Sequence, residues 1–204
     1  MGPRPVNDGT AELFCIESPT INSATCSNLK RRQTEEPFMT WTRTELEDAF
    51  AGYQNTVVEC TRSGDWNAFA DMFTEDVVYV EHAFGTLNGR EAVRKWVTRT
   101  MTEFPGHRMT EFPANWFVVD EQRGWIVCEI DNPMEDPGDG SKHGAANITI
   151  LHYAGNGLWS REEDAYNPMN FLSMAKAWCL AAEAAGTLPD DAKAWLAKFG
   201  AMVR

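Results

Sequence analysis

After Pro105-Gly106 the hydrophobic period of this chain changes from helical to extended, and it stays extended until Asn167. Four strands fill that stretch, over residues 112–119, 124–131, 146–153 and 158–165. Asp120-Glu121-Gln122-Arg123 and Ala154-Gly155-Asn156-Gly157 read as hairpin turns, so neighbouring strands run antiparallel. Asn132 to Gly144 is a longer Pro/Gly/Asp loop between the middle two strands. Such a meander needs a cover for its apolar face, and the preceding segments have the pattern to supply one.

Leu46, Ala49, Phe50, Tyr53, Val57 and Cys60 recur at helical spacing, behind Thr44 and Glu47 in the arrangement of a capping box. Gly64 closes that helix, and Asp65 caps a second carrying Trp66, Phe69, Ala70 and Phe73. Val77 to Val80 is β-branched and aromatic, hence a strand; it runs into Glu81-His82 and turns near Gly85. Arg90 to Met101 forms a third helix, with Val93, Trp96 and Val97 on one stripe. Beyond the meander, Asn167-Pro168 caps a helix bearing Phe171, Met174, Ala175 and Trp178, which ends at Gly186; Pro189 starts another. This order predicts an α+β fold. The N-terminal helices pack on a curved antiparallel sheet as a cone-shaped α+β barrel, plus C-terminal helices. The open mouth of the cone is where a small-molecule pocket belongs.

The 204 residues allow one domain and a tail. Residues 1–38 are rich in Pro, Ser, Thr and Asn and read as a disordered or mis-annotated extension ahead of Met39. The domain is expected over 39–170, and a C-terminal helical extension over 171–204. Lys plus Arg is 18 and Asp plus Glu is 30, a formal net charge of −12. That balance disfavours nucleic acid and anionic membrane surfaces as partners. No apolar run approaches the ~20 residues that span a bilayer. The 5 cysteines are odd in number, widely spaced and without Cys-x-x-Cys, which argues for free thiols in a reducing cytoplasm. The 8 Trp and 11 Phe point to a large core or an apolar pocket.

Ser63-Gly64-Asp65-Trp66, then Phe73-Thr74-Glu75-Asp76-Val77-Val78-Tyr79-Val80-Glu81-His82, then Leu87-Asn88-Gly89-Arg90-Glu91-Ala92-Val93 resemble the opening of a SnoaL-like domain. Tyr153-Ala154-Gly155-Asn156-Gly157-Leu158-Trp159 and Glu162-Glu163-Asp164-Ala165-Tyr166-Asn167-Pro168 resemble its end. That domain belongs to the nuclear transport factor two-like superfamily. Its members include ketosteroid isomerases, scytalone dehydratase, limonene epoxide hydrolase and polyketide cyclases, beside non-catalytic binding domains. The resemblance implies the cone fold and a homodimer, but fold does not choose among those activities.

In the isomerases an acidic base follows the Val-Glu pair that here precedes His82. His82 is therefore the first candidate general acid/base, with a strand-end hydrogen bond as its other reading. Glu129 and Asp131 share one strand face with Trp125 and Val127. They either orient a histidine or face solvent or a dimer partner, because Ile126, Cys128 and Ile130 form the more apolar face. Tyr79 has a phenol able to donate to an oxyanion, yet its parity turns it away from His82. The isomerase tyrosine of the first helix falls on Val57-Val58, with Tyr53 one turn earlier. Asn147 is a candidate carbonyl binder. Trp116 and Trp159, with Phe117, line the cone or fill its core. Asp164 reads as part of a fold signature. His82, His143 and His152 lack metal-ligand spacing, and nucleotide-binding motifs are absent, so neither metal nor cofactor is expected. The expectation is a cytoplasmic, cofactor-independent lyase or isomerase acting on an apolar small-molecule ligand. The alternative is a ligand-binding or interaction domain without chemistry.

Overall fold

The computed structural model describes residues 41–202. The expectations for residues 1–38, for Met39 and for Cys15 and Cys26 lie outside the described residues. Five helices and six strands are present: α1 (Arg43–Ser63), α2 (Asn67–Asp71), β1 (Phe73–Glu81), β2 (Gly85–Asn88), α3 (Arg90–Thr100), β3 (Ala114–Asp120), β4 (Trp125–Pro133), β5 (Gly144–Gly155), β6 (Leu158–Ala165), α4 (Pro168–Ala185) and α5 (Asp190–Phe199). They form an α+β fold in which helices pack on a curved sheet that is left open.

The helix ends follow the local chemistry. The capping box starts two residues earlier than expected: Thr42 Oγ1, not Thr44, accepts the Glu45 N–H at 3.1 Å. Thr42 and Glu45 have the same three-residue spacing as Thr44 and Glu47, and the earlier pair wins the first turn. Gly64 takes the left-handed conformation, φ 74°, that ends α1. Asp65 Oδ1 accepts the Asn67 N–H at 3.0 Å. Asn167 caps α4 with Pro168 in its first turn, and Gly186 closes it.

The sheet order is β2-β1-β6-β5-β4-β3. All pairs are antiparallel except β1 with β6, which run parallel. This pairing joins the N-terminal strand to the last strand of the meander and makes the sheet mixed. On β4, Ile126, Cys128 and Ile130 are buried and face the helices. Phe50, Tyr53, Val57, Phe69, Val93 and Val97 meet them from α1, α2 and α3 in one core. A second cluster joins Trp178, Cys179 and Ala192 of α4 and α5 to Met134, with Phe104 and Met109 against it.

One turn between the two clusters tolerates no side chain. A Cβ on Gly106 would lie 2.1 Å from the Thr100 carbonyl oxygen. Gly106→Ala must displace backbone rather than a flexible side chain, and a loss of roughly 1–3 kcal/mol is expected. Thermal unfolding checks this; an unchanged midpoint means that the turn can open without cost.

Candidate functional site

A cavity of about 510 Å³ lies within the cone, in the size range of small-molecule sites. Trp66, Phe69, Trp96, Phe104, Phe112 and Phe171 give it aromatic walls. Its polar groups come mainly from the inward face of the sheet: Tyr79 and Glu81 on β1, Asn132 on β4, Asn147 and Thr149 on β5, Glu162 and Asp164 on β6. Tyr53 joins them from α1. The alternation of a strand explains the set, since 79 and 81, 147 and 149, and 162 and 164 are each two residues apart.

All of these groups except Glu81 form one hydrogen-bonded network. Tyr53 Oη donates to Glu162 Oε1 at 2.9 Å. Tyr79 Oη lies 2.6 Å from Asp164 Oδ2 and 3.1 Å from Glu162 Oε1. Asp164 Oδ1 accepts from Thr149 Oγ1 at 2.6 Å and from Asn147 Nδ2 at 2.9 Å. Asn132 Nδ2 in turn donates to Asn147 Oδ1 at 2.8 Å, which fixes the amide. At one edge Tyr166 donates to Glu81 Oε1, while Glu81 Oε2 accepts the Ala83 and Phe84 N–H groups at 2.7 Å each.

The two β6 carboxyls differ in surroundings. Glu162 is 1% exposed, and its Oε2 has no partner. Burial, and then the neighbouring Asp164, hold its carboxyl well above the ordinary range. Burial also raises Asp164, to about 6, opposed by the hydrogen bonds from Thr149 and Tyr79. Near neutral pH, Asp164 is therefore a carboxylate with three donors, while burial pushes Glu162 toward its neutral form. Tyr79 has one proton for two contacts, and the shorter of them is to Asp164. Paired carboxyls with separated pKa values can act as base and acid in one site.

The folded state binds these protons more tightly than the unfolded chain does. The stabilisation from protonated Asp164 is complete below about pH 4 and is lost as pH rises through about 6. Glu162 acts in the same sense at higher pH. Relative to wild type, Asp164→Asn is expected to gain about 1–3 kcal/mol between pH 4 and pH 7. Parallel unfolding curves at the two pH values measure this; a constant difference contradicts the raised pKa.

The other candidates fall elsewhere. His82 is not part of the cavity lining. Its side chain is 37% exposed, and Nε2 lies 3.2 Å from Glu163 Oε1. Strand parity is the reason: Tyr79 and Glu81 turn inward, and Glu163 turns outward between Glu162 and Asp164. The His82 ring does stack on Tyr166, with centroids 6.4 Å apart. Glu129 faces out and accepts from Asn115 Nδ2, while Asp131 Oδ1 accepts the Asn132 N–H. Trp116 is 45% exposed on the edge strand β3. Trp159 is fully buried in the core and does not line the cavity. Of the seven residues singled out, only Tyr79 and Asn147 line it. Tyr53, Thr149, Glu162 and Asp164 were missed as site residues. For Thr149, Glu162 and Asp164 the only sequence signal is the i, i+2 spacing on strands whose inward face the pairing decides; Tyr53 lies on α1, one turn from the expected tyrosine position. Among the described residues, no group of three His, Cys, Asp or Glu could hold a metal, and no helix is long and apolar enough to cross a membrane.

The profile of the SnoaL-like domain matches residues 55–161, just over half of the chain, and the chain belongs to this family. A nuclear transport factor two-like protein from Anabaena variabilis is similar in fold, at 16% identity and TM-score 0.48, over 63% of this chain and 94% of that one. A protein of ketosteroid isomerase-like fold from Catenulispora acidiphila, solved with trimethylamine, is 21% identical at TM-score 0.46, over 65% of this chain and 93% of that one. No curated protein matches the chain.

Proposed function

We propose that this protein binds an apolar, carbonyl-containing small molecule and moves a proton on it without a cofactor, by isomerisation, dehydration or cyclisation. The carrying observation is the pair Asp164 and Glu162, two β6 carboxyls that line one cavity and share the Tyr79 hydroxyl. Asp164 takes the proton from the position beside the ligand carbonyl. The neutral Glu162, backed by Tyr53 and Tyr79, stabilises the enolate oxygen that develops. This reading moves the base from His82 to Asp164, since only Asp164 lines the cavity. A cytoplasmic homodimer and a domain bounded at 39–170 stay part of the proposal. The exposed Trp116 and Val118 on β3 support the dimer.

The test is a thermal-shift panel of steroids, polyketide-like ketones, coenzyme A thioesters and epoxides, followed by turnover of whatever stabilises the protein. Conversion by wild type and by His82→Ala, but not by Asp164→Asn, is expected. Conversion that needs His82 and survives in Asp164→Asn contradicts the assignment. Binding without turnover favours the non-catalytic alternative.

A further inference from the structure

Part of the cavity wall comes from outside the family match. The match ends at residue 161, whereas Phe171 of α4 and Trp195 and Phe199 of α5 all line the cavity. Phe171 and Trp195 pack against the second cluster, and Phe199 packs on Trp195. Trp195 meets Phe104 edge to face at 5.4 Å and Phe199 at 5.5 Å, and Phe104 meets Trp178 at 5.6 Å. Neither Trp195 nor Phe199 enters the hydrogen-bond network of Asp164 and Glu162.

The helix that carries them is firmly seated. Ala192 is fully buried against α4, and Cys179 Sγ lies 3.8 Å from the Ala192 carbonyl oxygen. His107 Nε2 and Asp191 Oδ2 are 3.2 Å apart and tie the start of α5 to the turn after α3. Rings held on a packed helix offer a defined contact surface rather than a mobile loop. The cavity also has unmatched donors: Gln54 and Trp96 line it, and Gln54 Nε2 and Trp96 Nε1 have no partner. A ligand oxygen placed there leaves the rest of an elongated molecule to fill the remaining apolar space.

We infer that Trp195 and Phe199 are specificity-determining residues: they contact the far end of an elongated polycyclic ligand whose oxygenated end lies at Asp164, and so select for length. The inference rests on the cavity being the ligand site. It does not require that proton transfer occurs there.

Two hydroxyarenes of different length test it, 2-naphthol and the four-ring 2-hydroxychrysene, titrated by fluorescence against the full chain. Burying a ring of the longer probe against the indole is worth enough to give tenfold or more in affinity. Trp195→Ala is expected to weaken 2-hydroxychrysene about tenfold or more and 2-naphthol less than about twofold. Phe199→Ala, at the end of α5, is expected to act in the same direction and carries the test if Trp195→Ala does not fold. Equal loss for both probes, loss confined to 2-naphthol, or no loss for either overturns the inference. The length contrast is expected to persist in Asp164→Asn, so failure of the proton-transfer reading leaves it standing. Failure of both probes to bind wild type contradicts both.

Discussion

Asp164→Asn is expected to lower turnover by roughly 10²–10⁴-fold, the usual contribution of a positioned general base. The amide keeps the shape and can still accept from Thr149 and Asn147, which now surround the carboxylate at 2.6 and 2.9 Å. It cannot take a proton. Ligand affinity is therefore expected to change far less than the rate, and the loss to appear in kcat. In wild type the rate is expected to rise with pH through about 6, as Asp164 ionises. Loss of the Glu162 proton, itself raised by burial, removes the neutral acid, and the rate is expected to fall where that proton leaves. The profile belongs to the coupled pair rather than to either residue alone. A rate that is flat with pH in wild type would argue against Asp164 as the base.

Trp159→Ala is expected to cost about 3–5 kcal/mol of stability, the range for emptying a large aromatic from a core. Trp159 is fully buried; its ring meets Tyr153 edge-on at 5.3 Å and Tyr53 at 6.3 Å. It lies on β6, which is hydrogen-bonded to β1 on one side and β5 on the other. A void there removes contacts from both the sheet and α1. The cavity does not include this residue, so ligand-length preference is expected to stay the same in any variant that folds. Chemical denaturation measures the loss. A small cost accompanied by altered ligand preference would place Trp159 at the ligand instead of in the core.

The contrast between these two residues shows what was legible beforehand. Helix periods, caps and hairpin turns are local, and they placed every major described element to within a few residues; β6 runs over Leu158–Ala165 as expected. The apolar alternation of Ile126, Cys128 and Ile130 also identified the buried face of β4. The site depends on something non-local, the parallel pairing of β1 with β6. That pairing sets Tyr79 opposite Glu162 and Glu81 opposite Asp164 in register. Within the run Glu162-Glu163-Asp164, composition cannot say which carboxyls are buried; only the strand's face can. The same parity moves His82 out of the cavity and brings Tyr53, one helical turn from the expected tyrosine position, into contact with Glu162.

The acid pair can be observed without a known substrate. Carboxyl carbons of selectively labelled protein, followed by NMR across pH and assigned with Asp164→Asn and Glu162→Gln, give the two titrations directly. The arrangement predicts one carboxyl that titrates near pH 6 and a second that also titrates well above the ordinary carboxyl range. Two ordinary titrations near pH 4 would mean that both groups are charged and solvated at neutral pH, and the acid–base site would not exist.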